Sequence, residues 1–306
     1  FEYEELAKSL LPKDRYDYIA GGAGDELTLK RTRCVLDSIY LKPKALINVA
    51  NRNLSTTVLG KPIKYPVMLD PSGDHARAHP EAEFATVRAA GDAGTIMVVS
   101  SSSTAKLEEI SEAATGPVWY QQSFYRDEGF TIELARRAER AGYTAICVTI
   151  DNKVMGKRER NIRNHYVNPP SPNYEWSSSL VKDQAATWVN LEHLASKLDI
   201  PIVVKGIMNG IDSKLCFDYG AQAVIVSNHG ARQLDSTLTT IEALPEIVSS
   251  AGKHLEVYLD GGIRRGIDIV KALALGARAV LIGRPIFWGL AANGEAGVSR
   301  VLHMLK

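Results

Sequence analysis

From Pro66 onward one rhythm governs the chain: a short apolar, β-branched run, a loop of small or polar residues, then an amphipathic stretch of helical period. The runs are Val67 to Leu69, Thr95 to Val99, Val118 to Gln121, Ala145 to Ile150, Pro201 to Val204, Ala223 to Val226, Glu256 to Leu259 and Ala279 to Ile282, eight in all. Helical stretches separate them, among them Glu81 to Asp92, Thr131 to Ala141, Ile211 to Asp218 and Gly266 to Leu275. Apolar runs without polar alternation need cover on both faces, which parallel strands receive from crossover helices. Eight units, each too short to bury itself, predict an α/β fold: a closed (β/α)8 TIM barrel over 66–306, part of a single domain of 1–306. Residues 1–65 read as an N-terminal extension of helices (Glu4 to Leu11, Asp14 to Ala20, Asp25 to Leu36) and a hairpin from Ser55 to Lys64. The stretch 168–183, with Pro169-Pro170, Pro172 and Ser177-Ser178-Ser179, offers turn chemistry and no period, and is expected to be a mobile loop over the barrel mouth.

In a parallel barrel, reactive groups collect where the carboxyl ends of the strands open on a common centre. Here the eight runs are followed by Asp70-Pro71-Ser72-Gly73, Ser100-Ser101, Gln121-Gln122, Thr149 with Asp151, Lys205-Gly206, Ser227 with His229 and Arg232, Asp260-Gly261-Gly262 with Arg264, and Gly283-Arg284. Chance polarity would not keep to that one register. His229 is a candidate base and Arg232 a candidate anion clamp; alternatively the turn is merely capped, with the imidazole satisfied by backbone and the guanidinium solvated. The last two ends supply glycines for close backbone approach, a helix N-terminus and guanidinium forks, the makings of a phosphate site. Lys205 ends an apolar strand and has three readings: a Schiff-base amine, a fixed charge facing an electron-rich cofactor, or a side chain snorkelling from the mouth. Tyr16 and Tyr18 lie on the second helix, where ordinary packing is the plain alternative.

Composition narrows the partners. Lys plus Arg number 36 and Asp plus Glu 35, so no global field points to nucleic acid, and any anion site is local. No stretch approaches a membrane span and no signal peptide opens the chain. Cys34, Cys147 and Cys216 are far apart and without metal-like spacing, so no metal is expected and a reducing, cytoplasmic setting is.

The run Ser227-Asn228-His229-Gly230-Ala231-Arg232-Gln233-Leu234-Asp235 resembles the signature of the FMN-dependent 2-hydroxy acid oxidase and dehydrogenase family. Tyr16-Asp17-Tyr18 with Gly22-Ala23-Gly24-Asp25, Ala78-His79-Pro80-Glu81, Gly94 to Met97, Val204-Lys205-Gly206, Leu259 to Gly266 and Lys271 to Pro285 match in order, over nearly the whole chain. The resemblance implies FMN as cofactor and oxidation of an L-2-hydroxy acid to a 2-oxo acid. Oxygen, yielding hydrogen peroxide, is the expected acceptor; a quinone or protein acceptor and an amino-acid-like substrate are alternatives. It implies a homo-oligomer, a tetramer by analogy, in the cytoplasm, a peroxisomal address being compatible as well. By the same resemblance His229 is the base, held by Asp151, while Arg232, Arg158 and the Tyr18 hydroxyl take the substrate carboxylate. Lys205 faces the flavin, which favours fixed charge over Schiff base. Ser100, Gln121, Thr149 and Ser227 bond the flavin and ribityl, and Asp260, Gly262, Arg264, Gly283 and Arg284 hold the ribityl and phosphate, with Ser72 and Gly73 beside them.

The departures from that pattern fall on the substrate side. Asp70 stands where the family commonly has Ala, Ser72-Gly73-Asp74-His75 replace a less polar run, Ser102 stands for a Trp and Ser123 for a Tyr. Losing two large aromatic side chains predicts a wider, wetter pocket and a substrate larger or more polar than glycolate.

Overall fold

The structure is a computed structural model that describes residues 2–175 and 181–306. Eight strands close into an all-parallel barrel in chain order: β1 (Val67–Leu69), β2 (Met97–Ser100), β3 (Val118–Gln122), β4 (Ile146–Thr149), β5 (Ile202–Ile207), β6 (Ala223–Val226), β7 (Glu256–Leu259) and β8 (Ala279–Ile282), which returns to β1. Closure satisfies every strand edge, and the side-chain period of two sends alternate residues inward. Met68, Val98, Trp119, Cys147, Val203, Ile225, Tyr258 and Leu281 fill the interior as one cluster. Their outward neighbours, among them Leu69, Val99, Tyr120, Val148, Val204 and Val226, meet the surrounding helices. The barrel is therefore a packed core with its chemistry confined to the ends.

The predicted extension is present. Helices α1 (Glu2–Leu10), α2 (Lys13–Ala20) and α3 (Leu27–Ser38) precede an antiparallel pair, Thr56–Val58 with Lys61–Ile63. Val58 and Ile63 join the interior cluster and plug the amino end of the barrel, where Glu256 accepts the Leu59 N–H. Helices α1 and α2 lie at the opposite end against the terminal helical segment Arg284–Leu305, which is broken at Asn293 and Gly294, with Tyr16 stacked on Trp288 at 5.4 Å. Packing thus accounts for Tyr16. Tyr18, on the other face of α2, lines the barrel mouth.

Residues of the predicted loop, Asn168 to Ser171 and Tyr174, border the barrel mouth, and part of the stretch is anchored: Pro172–Tyr174 form a short 3-10 turn with Asn173 fully buried. The Asn173 amide donates to Ser103 Oγ at 2.9 Å and its carbonyl accepts the Leu107 N–H at 2.9 Å, while the Ser171 hydroxyl reaches the Ser103 carbonyl at 2.8 Å. Residues 176–180 of the same predicted loop lie outside the described residues.

The carboxylate of Asp268, buried at the start of the helix Gly266–Ala274, ties the extension to this end of the barrel. It takes both forks of Arg33 from α3, at 2.8 and 2.9 Å, and the backbone N–H groups of Arg264 and Arg265, each at 3.0 Å. Asp268→Ala removes these charge-assisted bonds, although Arg33 keeps Asp37, and costs about 1.5–3 kcal/mol. A Tm lower by several degrees in differential scanning calorimetry is the expected outcome.

Candidate active site

The mouth encloses a cavity of about 390 Å³ to which all eight strand ends contribute. Its floor is a charge cluster around Lys205, which sits in β5 itself rather than after it, because the strand runs on to Ile207 through an irregularity at Gly206. The ammonium contacts Asp260, donates to Ser227 Oγ at 2.7 Å and lies 3.6 Å from Asp70 Oδ1. Burial alone would depress its pKa, but Asp260, Asp70 and Asp151 raise it above the ordinary lysine value. An amine held so firmly protonated is not a nucleophile, and the Schiff-base reading falls. Asp260 is the closer carboxylate to Lys205. Asp70, desolvated and repelled by Asp260, is pushed up to about 8 and holds its proton at neutral pH.

His229 follows β6 with φ of 58°, in a left-handed run with Gly230 and Ala231 that turns the imidazole back over the mouth. Its Nδ1 meets Asp151 Oδ1 at 2.8 Å, and its backbone N–H reaches Ser227 Oγ at 3.1 Å. An ionised carboxylate only accepts, so Nδ1 carries the proton and Nε2 is left to receive one. Burial outweighs the pull of Asp151 and keeps the His229 pKa below its usual value, so the imidazole is neutral at pH 7. Gly206, with φ of 114°, makes the pairing possible: a Cβ there would stand 2.8 Å from that of Asp151. Gln233, a residue of the signature given no role from sequence, secures the loop after β4 by accepting from the Gly156 N–H and Arg158 Nη2 at 3.1 and 3.2 Å. Asp235 closes the motif structurally, accepting the Leu27 and Thr28 N–H groups at the head of α3.

Tyr18 is surrounded by guanidinium groups. The Arg232 and Arg158 carbons lie 4.9 and 5.9 Å from its ring centroid, and a third, Arg77, lies at 3.7 Å. Burial raises the phenol pKa, but Arg77, Arg232 and Arg158 together bring it down to about 8. Arg77 was not legible as a site residue, since it falls beyond the strand-end register on a 3-10 turn, His75–Arg77, at the end of the first loop. The alternative for Arg232, a solvated turn residue, also falls. Its Nη1 donates to the backbone carbonyls of Ile19 and Gly21 at 3.3 and 2.6 Å. Arg284 donates to the same two carbonyls, at 3.0 and 2.9 Å, and to that of Gly230 at 2.9 Å. Arg264 donates to the Ile263 carbonyl. Among the described residues neither Arg264 nor Arg284 has a carboxylate in ion-pair range, and desolvation lowers the pKa of both. Two half-buried cations without acids beside Gly262 and Gly283 are what a phosphate dianion requires.

The register of the barrel explains the neutral side. Ser100 is paired with Gln121 across β2 and β3, so Ser100 Oγ meets the Gln121 carbonyl oxygen at 3.2 Å, and the Gln121 amide donates to Thr149 Oγ1 at 2.9 Å. Ser72 and Gly73 continue this polar rim, while Ser227 lies behind it, fully buried. Asp70 Oδ1 and Asp260 Oδ1 are buried without hydrogen-bond partners. On the substrate side Ser102 and Ser123 line the cavity as expected, but the wall is not bare. Tyr174 from the pinned loop lies 3.2 Å from Ser102 Oγ, and Tyr125 donates to Tyr174 at 3.0 Å, so two phenols from other loops enter the space. His75 is fully buried against Thr86 and Phe287 and belongs to the core.

The sequence matches the profile of FMN-dependent dehydrogenases over residues 7–306. The chain belongs to that family. An L-lactate oxidase of Nostoc sp. is 46% identical, covering 100% of this chain and 90% of the relative. The glycolate oxidase of Spinacia oleracea is 44% identical over 100% and 88% of the two chains. Among solved structures, mandelate oxidase with benzoyl-formic acid superposes with a TM-score of 0.95 at 38% identity, over 99% of this chain and 90% of that one. The protein is accordingly an FMN-dependent oxidoreductase acting on CH–OH groups, of the 2-hydroxy acid oxidase type. Its cavity fits FMN: Arg264 and Arg284 suit the phosphate, the partnerless Asp260 oxygen and the Ser100–Gln121–Thr149 rim suit hydroxyl and ring polar atoms, and Lys205 supplies the fixed charge.

Two outcomes follow for this FMN-dependent dehydrogenase. Arg264→Ala combined with Arg284→Ala removes both phosphate forks, so the purified variant loses its yellow colour and its flavin absorbance after gel filtration, while the parent keeps both. In a pH series, kcat/KM reports groups of the free enzyme. It rises as His229 loses its proton below the ordinary imidazole value of about 6.5, and falls as Tyr18 ionises near 8 and ceases to donate. Tyr18→Phe keeps the acid limb and loses the alkaline one; a limb that persists belongs to Lys182, which burial pushes down to about 8, or to Asp70, pushed up to about 8.

Proposed function

We propose that the protein oxidises an L-2-hydroxy acid, larger or more polar than glycolate, to the corresponding 2-oxo acid, with oxygen as acceptor and hydrogen peroxide as the second product. The observation that carries this reading is a single cavity bordered by the His229–Asp151 pair, the Tyr18, Arg158 and Arg232 group, and Lys205. A carboxylate seated on Arg232 and Arg158, with the phenol donating, places the adjacent carbinol toward His229. The neutral imidazole accepts the proton shed on oxidation, and Asp151, held ionised by His229 and Lys205 against its burial, stabilises the imidazolium that results. FMN, when bound, supplies the two-electron acceptor. Lys205 contributes a charge that does not titrate in the working range.

Oxygen as acceptor is supported by the names of the relatives, which are oxidases of lactate, glycolate and mandelate. The small side chains of Ser102 and Ser123, which line the cavity, support the larger substrate. Three free cysteines, two of them buried, accord with action in a reducing cytoplasm, and assembly as a homo-oligomer is part of the same proposal.

Anaerobic reduction of the flavin by a panel of 2-hydroxy acids, followed by admission of oxygen and assay of peroxide, tests the reading. His229→Ala keeps FMN and slows flavin reduction by about 10²–10⁴-fold. Near-normal reduction in that variant removes His229 from the chemistry, and reoxidation without peroxide removes oxygen as the acceptor.

A further inference from the structure

Seven lysine and arginine side chains border the cavity against three carboxylates. Lys205 is answered by Asp260, the pair Arg264 and Arg284 by a phosphate dianion, and the pair Arg158 and Arg232 by one carboxylate. That leaves Lys182, and Arg77, whose one acid among the described residues is Asp74. Arg77 is 4% exposed, and its fork is only partly used. Nε donates to the Asp74 carbonyl at 2.8 Å and Nη2 meets the Asp74 carboxylate at 3.0 Å, while Nη1 is buried with no hydrogen-bond partner. The Asp74 carboxylate also accepts from Thr104 Oγ1 at 3.3 Å, so it lies behind the guanidinium and fixes its plane against Tyr18. Lys182 borders the same cavity, and its ammonium donates to the Asn152 carbonyl at 3.3 Å. It makes no ion pair among the described residues, and Asp151, the nearest acid acting on it, is committed to His229.

A monocarboxylic substrate leaves both features unanswered: a buried N–H of Arg77 without an acceptor and a surplus of positive charge around the pocket. A second carboxylate at the far end of the substrate answers both, because a charge-assisted bond to Arg77 Nη1 completes the fork. Resting on the hydroxy-acid reading above, we propose that the natural substrate is a dicarboxylic 2-hydroxy acid, its 2-hydroxy carboxylate on Arg158 and Arg232 and its distal carboxylate on Arg77, with Lys182 adding charge at the rim. Arg77 is then a specificity-determining residue, and Asp74 positions it.

The experiment compares acids matched in length on the holoenzyme: L-malate against L-2-hydroxybutyrate, and L-2-hydroxyglutarate against L-2-hydroxyvalerate, as kcat/KM for anaerobic flavin reduction. In parallel, succinate against butyrate and glutarate against valerate are titrated by perturbation of the flavin spectrum, a readout that needs no turnover. The parent protein prefers the dianion of at least one pair by roughly 10–100-fold, the value of one charge-assisted bond. Arg77→Met collapses that ratio toward one and Arg77→Lys restores part of it. Any effect passed through Tyr18 acts on both members of a pair and cancels in the ratio. Lys182→Met, at the rim, lowers the ratio by a few fold and decides the matter should Arg77→Met fail to retain FMN. Equal binding of dianions and monoanions by the parent, or a ratio indifferent to both substitutions, overturns the proposal. If the dianion preference holds while no 2-hydroxy acid reduces the flavin, the assigned reaction fails and the anion site stands.

Discussion

The ammonium group of Lys205 sits where three carboxylates from three other strand ends converge, and the charge pattern of the mouth is arranged around it. Asp70 follows β1, Asp151 follows β4 and Asp260 follows β7; only a closed barrel brings such ends to one point. Without the cation, three carboxylates in a desolvated space would repel and take up protons, and Asp151 could not remain the anion that His229 needs. Without the carboxylates, burial would neutralise the lysine. The acid-rich floor is balanced by a base-rich flank under the N-terminal helices, where Arg232, Arg284, Arg158 and Arg77 gather. Anions that enter the mouth thereby meet their counter-charges on one flank.

The sequence carried the scaffold well because the scaffold obeys local rules. Buried parallel strands read as short unbroken apolar runs, and β1, β6, β7 and β8 begin and end at the residues expected. The others differ by one to three residues, most at β5, where the polar Lys205 and the flexible Gly206 read as a loop although the ladder continues past them. The residues that line the mouth were legible for a related reason: strand ends form a register, and His229, Lys205, Asp260 and Arg284 occupy it.

What was not legible depends on long-range placement. Arg77 lies four residues past Gly73, where the first strand's polar tail ends, and reads as a surface cation until the fold sets it over Tyr18. Asn173, in a run of prolines and serines, has every local mark of a free loop, yet its amide and carbonyl are satisfied by backbone and side chains of the loop after β2. That anchoring also brings Tyr174 to Ser102, so the space opened by one small residue is shared by a phenol with no sequence relation to it. Pocket walls built from several loops are set by which loops meet, and no window of sequence contains that information.

The carbonyls of Ile19 and Gly21 at the end of α2 accept from Arg232 and from Arg284 at once. The donors lie 213 and 265 residues further along the chain. Contacts of such separation form late, because the loop between the partners must close before they are rewarded. On a ribosome, α2 is synthesised long before either guanidinium exists, and its exposed carbonyls are hydrated until β8 has been made and the barrel has shut. The segment therefore acts as a latch that engages last. Arg232 and Arg284 share that latch, so the two guanidinium groups are set in place together.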